Sequence, residues 1–273
     1  MSSKVVILTG VSSGFGKSIA EVLSKNGYNV YGLSRRKIDI IDNINYYQAD
    51  VTDAESIKKI IEEIYNKEKR IDVLINNAGM GIAGAIEDFS IEEVQLQMKT
   101  NFIGTFIMCK NVLPYLREQG HGHIINISSI GGIMGLPFQG FYSASKFAIE
   151  GFSEALRMEL KPYNIKVTVV EPGDFATSFT KNRKIIEKYN NEKEFSNSPY
   201  YMQFQGTLSV IENDERNGLK PSYLAEKILR IIKSKSPSNR YIIASFEQKL
   251  AVLLKTLLPE KIFFKILESH YKI

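Results

Sequence analysis

Short runs of consecutive apolar residues, such as VVIL at 5–8 and HIINIS at 123–128, recur along the chain. Between them lie longer stretches in which apolar positions return every three or four residues. The pattern predicts strands at 5–8, 29–34, 45–49, 71–75, 123–128, 166–171 and 240–244. Helices are predicted near 16–26, 53–67, 91–118, 141–162 and 222–234. Continuous apolar strands separated by helices suit a parallel sheet covered on both faces. Right-handed crossovers then make it a doubly wound α/β domain spanning 1–273.

Residues 175–220 break this rhythm, with many Asn and Lys and weak periodicity. So long an irregular segment inside a domain reads as a substrate lid, with a plain surface insertion as the alternative. The tail, about 246–273, predicts two amphipathic helices broken at Pro259. It reads as core or dimer packing, with a lid over an apolar substrate or a foot on a membrane as lesser readings.

Composition narrows the class. Hydrophobic residues make up 44% of the chain and charged residues 24%, the profile of a soluble globular protein. The single cysteine, Cys109, excludes an internal disulfide, suits a reducing cytoplasm and, within a helical apolar pattern, reads as a structural thiol. The N-terminus lacks a basic region followed by a long apolar run, so no leader is expected. No apolar stretch approaches the roughly 20 residues needed to cross a bilayer. The net charge of +5 sits in the C-terminal third, where residues 181–273 hold 17 lysines and arginines against 10 acids. These cations follow amphipathic patterns without a motif for reading bases, so nucleic acid is not expected as a partner.

The first predicted strand runs into TGVSSGFG and then a helix. Gly10, Gly14 and Gly16 permit a tight turn, close backbone approach to a phosphate and close helix packing, the Rossmann-type arrangement. The helix N-terminus behind them favours an anion. The second strand ends in Ser34, Arg35 and Arg36, where NAD sites commonly place a carboxylate for the ribose. Guanidinium groups there suit a 2′-phosphate, so NADP is the expected cofactor. Asp39, close by in sequence, keeps NAD possible.

TGVSSGFG, DVLINNAG at 72–79, the serine pair of INISSIGG, YSASK at 142–146 and EPG at 171–173 together resemble the short-chain dehydrogenase/reductase family. Their order and spacing match over residues 4–178. The resemblance implies that Gly10, Ser12, Gly14, Phe15 and Gly16 line the pyrophosphate and ribose. Asp50 and Val51 would flank the adenine, and Asn77, Ala78 and Gly79 the ribose. Pro172, Gly173, Phe175 and Thr177 would cradle the nicotinamide carboxamide. Asn101 matches a helical asparagine that holds a proton-relay water; a buried asparagine satisfied by backbone is the equal alternative.

Tyr142 and Lys146 stand four residues apart and so share a helix face. A free phenol has a pKa near 10, and lowering it by about three units requires roughly 4 kcal/mol. A cation about 4 Å away at an effective dielectric near 20 supplies energy of that order. Lys146 is therefore expected to activate Tyr142, with oxidised nicotinamide adding a second positive charge. Ser129, thirteen positions before Tyr142, has the family's spacing and would hydrogen-bond the substrate oxygen; Ser128 is the fallback.

These readings converge on an NADP-preferring carbonyl reductase or alcohol dehydrogenase. The stretch GIMGLPFQGFYSASKFAIEGF is similar to that of hydroxysteroid and retinol dehydrogenases. Met134, Phe138, Phe175, Phe179 and YYMQF (200–204) suit an apolar steroid-, retinoid- or lipid-like substrate, or ordinary core. A 3-oxoacyl ketoreductase and a catalytically silent dinucleotide sensor are the alternatives. The family's usual contacts, through 91–118 and 141–162, imply a homodimer or homotetramer.

Overall fold

The computed structural model describes residues 3–37 and 44–273, which leaves Asp39 outside the described residues. Seven parallel strands form one sheet: β1 (Val5–Thr9), β2 (Asn29–Ser34), β3 (Ile44–Gln48), β4 (Val73–Asn76), β5 (Gly122–Ile127), β6 (Ile165–Pro172) and β7 (Arg240–Ile243). Their order is β3-β2-β1-β4-β5-β6-β7. From β1 the chain moves outward to β2 and β3, then crosses back to β4, so the loops after β1 and β4 diverge. The crevice at such a switch point is where ligands bind in open parallel sheets.

The alternation of side chains along β1 explains why its sequence is apolar throughout. Val5 and Ile7 join one buried cluster with Ile57 and Ile61 of α2 (Ala54–Glu68). Val6 and Leu8 join the opposite cluster with Ile19 and Leu23 of α1 (Gly14–Lys25). Asp53 caps α2, its carboxylate accepting from Ser56 N at 3.1 Å. The predicted helix 91–118 resolves into α3 (Ile91–Met98), a π-helical turn (Lys99–Ile103) and α4 (Gly104–Gln119). Asn101 sits in that turn, and such turns recur at functional sites. The remaining sheet-covering helices are α5 (Gly140–Leu160) and α7 (Pro221–Lys233).

The segment expected to be irregular is partly regular. It holds short strand Lys184–Ile185, paired with Ile82–Ala83, and a 16-residue helix α6 (Tyr201–Arg216). Its aromatic residues Tyr189, Phe195 and Phe204 build their own buried cluster, which supplies the packing that a weak sequence period does not advertise. In the tail, α8 (Phe246–Leu257) and α9 (Glu260–Tyr271) flank Pro259. They pack through Val252 and Phe263 against Met134. No helix among the described residues is long and apolar enough to cross a membrane.

Candidate active site

A cleft of about 1320 Å³ opens along the carboxyl ends of the strands. Single drug-sized ligands occupy pockets of roughly 300–1,000 Å³, so it has room for a dinucleotide and a second molecule. At one end lies the glycine loop. Gly10 adopts a φ of 77°, and a Cβ there would come within 2.9 Å of Asn77 Nδ2. Gly16 packs beneath it rather than lining the cleft, where a Cβ would collide with the Gly10 carbonyl. No side chain caps the N-terminus of α1, which leaves its first N–H groups available to an anion. Phe15 meets Phe175 edge to face at 4.9 Å, and Thr177 lies beside Gly14.

Arg36 reaches from the end of β2 to donate to the hydroxyls of Ser12 and Ser13, each at 3.1 Å. Ser34 donates to the Arg36 carbonyl at 2.8 Å, which fixes the turn that presents the guanidinium. Arg35 is exposed on the same rim, and Asp50 and Val51 line the cleft beside it. Thr9 Oγ1 accepts from the backbone of Asn77 at 3.0 Å and Ala78 at 2.9 Å, holding the Asn77–Gly79 loop against β1. These residues fit a dinucleotide: cationic at its outer end, open at the pyrophosphate, and narrow where a Cβ would intrude.

Ser129, Tyr142 and Lys146 converge further along. Ser129 leaves the end of β5, accepts from Gly131 N at 3.0 Å and lies near enough to the Tyr142 phenol to oppose the rise in its pKa. Ser128, the fallback, also lines the cleft, but Ser129 is the serine whose hydroxyl acts on the Tyr142 phenol. Lys146 Nζ donates to the Ile127 carbonyl at 2.9 Å and lies 5.7 Å from the Tyr142 ring centre. Burial pushes its ammonium down to about 8, opposed by the Glu150 carboxylate one turn on. Burial pushes the Tyr142 phenol up to about 12, opposite in direction to the lowering expected from Lys146 together with oxidised nicotinamide. Desolvation, which charge spacing along the chain does not reveal, is the larger effect in this enclosed position.

Asn101 lies behind the cleft wall. Its Nδ2 donates to Met80 O at 3.0 Å and Ser145 Oγ at 2.9 Å, while Oδ1 accepts from Met80 N at 2.9 Å. Both amide hydrogens are therefore engaged within the protein, the arrangement of an asparagine satisfied internally.

The sequence reading missed a buried acid pair behind Lys146. Glu171, fully buried at the end of β6, accepts from Arg240 Nε at 2.9 Å, and Glu150 lies 3.8 Å from the same guanidinium. Burial pushes the Glu150 carboxyl up, and Glu171 adds to the effect. Glu150 stands four residues after Lys146, so its place on the same helix face was available in the sequence; its pairing with Glu171 and Arg240 was not.

At the substrate end Pro172 closes β6, and Gly173 donates to Ile243 O at 3.1 Å. Phe179 lies 5.6 Å from the Tyr142 ring. Met134 and Phe175 line the cleft as expected, but Phe138 and YYMQF do not. Phe138 packs on Phe204 at 5.4 Å, and both join the aromatic cluster under α6. The apolar wall comes instead from the tail, where Leu250, Leu254, Phe263 and Leu267 of α8 and α9 face the cleft. The tail thus combines the core packing expected of it, through Val252 and Phe263, with the lesser reading of a wall over the substrate side.

A family model described as short chain dehydrogenase matches residues 4–187. A 3-ketodihydrosphingosine reductase of Bacteroides thetaiotaomicron is 46% identical over 273 residues, covering 100% of both chains. A probable short-chain type dehydrogenase/reductase of Helicobacter pylori, VdlC, is 34% identical over 258 residues and 93% of each chain. A solved short-chain dehydrogenase from Streptomyces avermitilis superposes with a TM-score of 0.80 at 30% identity, over 98% of this chain and 96% of that one. ElxO with NADP bound superposes with a TM-score of 0.70 at 26% identity, over 88% and 96%. With its parallel sheet, glycine cradle and Ser129–Tyr142–Lys146 cluster, the chain belongs to the short chain dehydrogenase family, oxidoreductases that interconvert alcohol and carbonyl groups using a nicotinamide dinucleotide.

Proposed function

We propose that this enzyme is an NADP(H)-dependent reductase of a long-chain lipid ketone of the 3-ketodihydrosphingosine type. The observation that carries the reading is one cleft holding three parts. Arg36 stands over the glycine loop at one end, Ser129, Tyr142 and Lys146 lie in the middle, and the α8–α9 apolar wall forms the other end. The full-length similarity to the Bacteroides reductase supports the lipid ketone.

The glycine loop and the α1 N-terminus would hold the pyrophosphate, and Arg35 and Arg36 a 2′-phosphate. Asp50 and Val51 would border the adenine, Asn77, Ala78 and Gly79 the ribose, and Pro172, Gly173, Phe175 and Thr177 the carboxamide. When bound, the nicotinamide supplies the hydride for the carbonyl carbon. Ser129 holds the carbonyl oxygen, and Tyr142 Oη delivers the proton. A phenol held up near 12 is protonated at neutral pH, which suits the reductive direction. Lys146 Nζ, at about 8, keeps its positive charge there and steadies the oxygen as it loses that proton. Asn101 acts from behind by pinning the Met80 backbone. Residues 175–220 cover the substrate side, with Phe179 against Tyr142.

NADPH consumption with 3-ketodihydrosphingosine tests the reading, with Tyr142→Phe run alongside. The variant should lose on the order of 10²–10⁴ in kcat, the usual contribution of a positioned acid. Turnover that survives in the variant refutes the role given to Tyr142, and an inactive native enzyme refutes the substrate.

A further inference from the structure

Beside the apolar wall, the substrate half of the cleft is acidic. Asp174, Asp214 and Glu215 all line it. Two of these carboxylates are already engaged. Glu215 pairs with Arg183 and accepts from Thr180 Oγ1 at 2.7 Å, and Asp214 accepts from His270 Nε2 at 3.1 Å. Asp174 is different. Its Oδ2 accepts from Gln248 Nε2 at 2.5 Å, a neutral donor, and among the described residues no lysine or arginine forms an ion pair with it.

The position of Asp174 is rigid. It follows directly on Pro172 and Gly173, its amide donates to Gln248 Oε1 at 3.1 Å, and its carbonyl accepts from Leu219 N at 3.0 Å. Its charge is felt at the Tyr142 phenol, which it helps to hold up. The Asp174 carboxyl is itself pushed up to about 7, by burial first and then by Glu215 and Asp214, with the Gln248 hydrogen bond and the more distant Arg183 charge only partly opposing them. A partly buried carboxylate without a direct ion-pair partner is a cost that a positively charged ligand removes. The apolar side chains of α8 and α9 on the same cleft require that ligand to carry a long hydrocarbon as well.

We propose that Asp174 is the counter-ion for an ammonium group that the substrate carries beside its ketone carbon, so that the enzyme selects long-chain α-amino ketones over uncharged ketones. This rests on the ketone-reductase reading above and adds the residue that reads the head group. The competing role for Asp174 is structural, tying α8 to the end of β6 through Gln248. Replacement by Asn keeps a side chain of the same shape and a hydrogen bond to Gln248, so it separates the two.

The test uses the full chain with NADPH and two ketones: 3-ketodihydrosphingosine and the same long-chain ketone with hydrogen in place of the amine. Losing one partner of a desolvated charge pair costs about thirtyfold or more. The native enzyme should therefore prefer the amino ketone in kcat/KM by about that factor. In Asp174→Asn this preference ratio should fall at least about tenfold, and Asp174→Glu should restore part of it. An unchanged ratio in Asp174→Asn, or equal losses on both ketones, overturns the proposal and leaves the reductase reading standing. A native enzyme that reduces both ketones equally also overturns it. A native enzyme that binds NADPH, followed by its fluorescence, yet reduces neither ketone overturns the reductase reading and this proposal together.

Discussion

Arg36 Nη2 lies 3.1 Å from Ser12 Oγ, so a guanidinium from the end of the second strand closes over the loop that follows the first. The contact joins two elements at the sheet's switch point and sets a fixed positive charge beside the expected ribose phosphate. Hydrogen bonds to charged groups contribute about 1.5–3 kcal/mol. Arg36→Glu should therefore weaken NADPH binding roughly tenfold to a hundredfold while leaving NADH binding much less affected. Titration of both dinucleotides by fluorescence measures this, and an unchanged ratio of the two affinities refutes the NADP preference.

Glu150 holds the Lys146 ammonium up against the burial that pushes it down to about 8. Glu150→Gln removes that support, so Lys146 should lose its proton at lower pH. Because turnover in the proposed mechanism uses the charged lysine, the alkaline limb of kcat against pH should move to lower pH by about half a unit or more. A limb that stays in place means that the acid pair serves β6 and Arg240 alone.

Asp174 moves from an ordinary value of 3.8 to about 7 in the folded chain. A carboxyl raised on folding keeps its proton in the native state while the unfolded chain has already lost it. Its contribution to stability is therefore lost as pH rises from about 4 to about 7, and the loss is complete above that. The shift sets an upper bound on the order of 4 kcal/mol. Asp174→Asn should raise the Tm at pH 8 by about 3 °C or more in the ligand-free protein. Below pH 4 it should change little. Scanning calorimetry at the two pH values decides it, and a variant that is equally destabilised at both shows that the carboxylate is structural.

The homo-oligomer expected from the family resemblance would bury Phe106 on α4, 41% exposed, and Met158 on α5, 71% exposed. Phe106→Glu with Met158→Glu should shift the protein to monomers by sedimentation velocity. A native protein that sediments as a monomer refutes the assembly.

Much of the fold was legible because it is local. Strands buried on both faces are apolar at every position, so VVIL and HIINIS announce themselves, and β1 ends one residue past its expected limit. The glycine loop was legible from its spacing along the chain, although Gly10 answers to Asn77 and Ala78 in the loop after β4 and Gly16 to the Gly10 carbonyl and Asn77. Helix α6 was not legible, because its buried positions Phe204, Thr207 and Ile211 face different neighbours rather than one sheet.

By itself, the sequence determined the parallel sheet, the dinucleotide cradle and the shared helix face of Tyr142 and Lys146. Each depends on spacing along one element or between adjacent ones. Tertiary structure alone decided that α8 and α9 wall the cleft, and that Glu150 meets Glu171 and Arg240. It also decided that Asp174 stands near Tyr142, held by a glutamine 74 residues away. The phenol makes the same point. Charges four residues apart can be counted from a sequence, but desolvation depends on everything that packs around the group, and in Tyr142 desolvation is the larger effect.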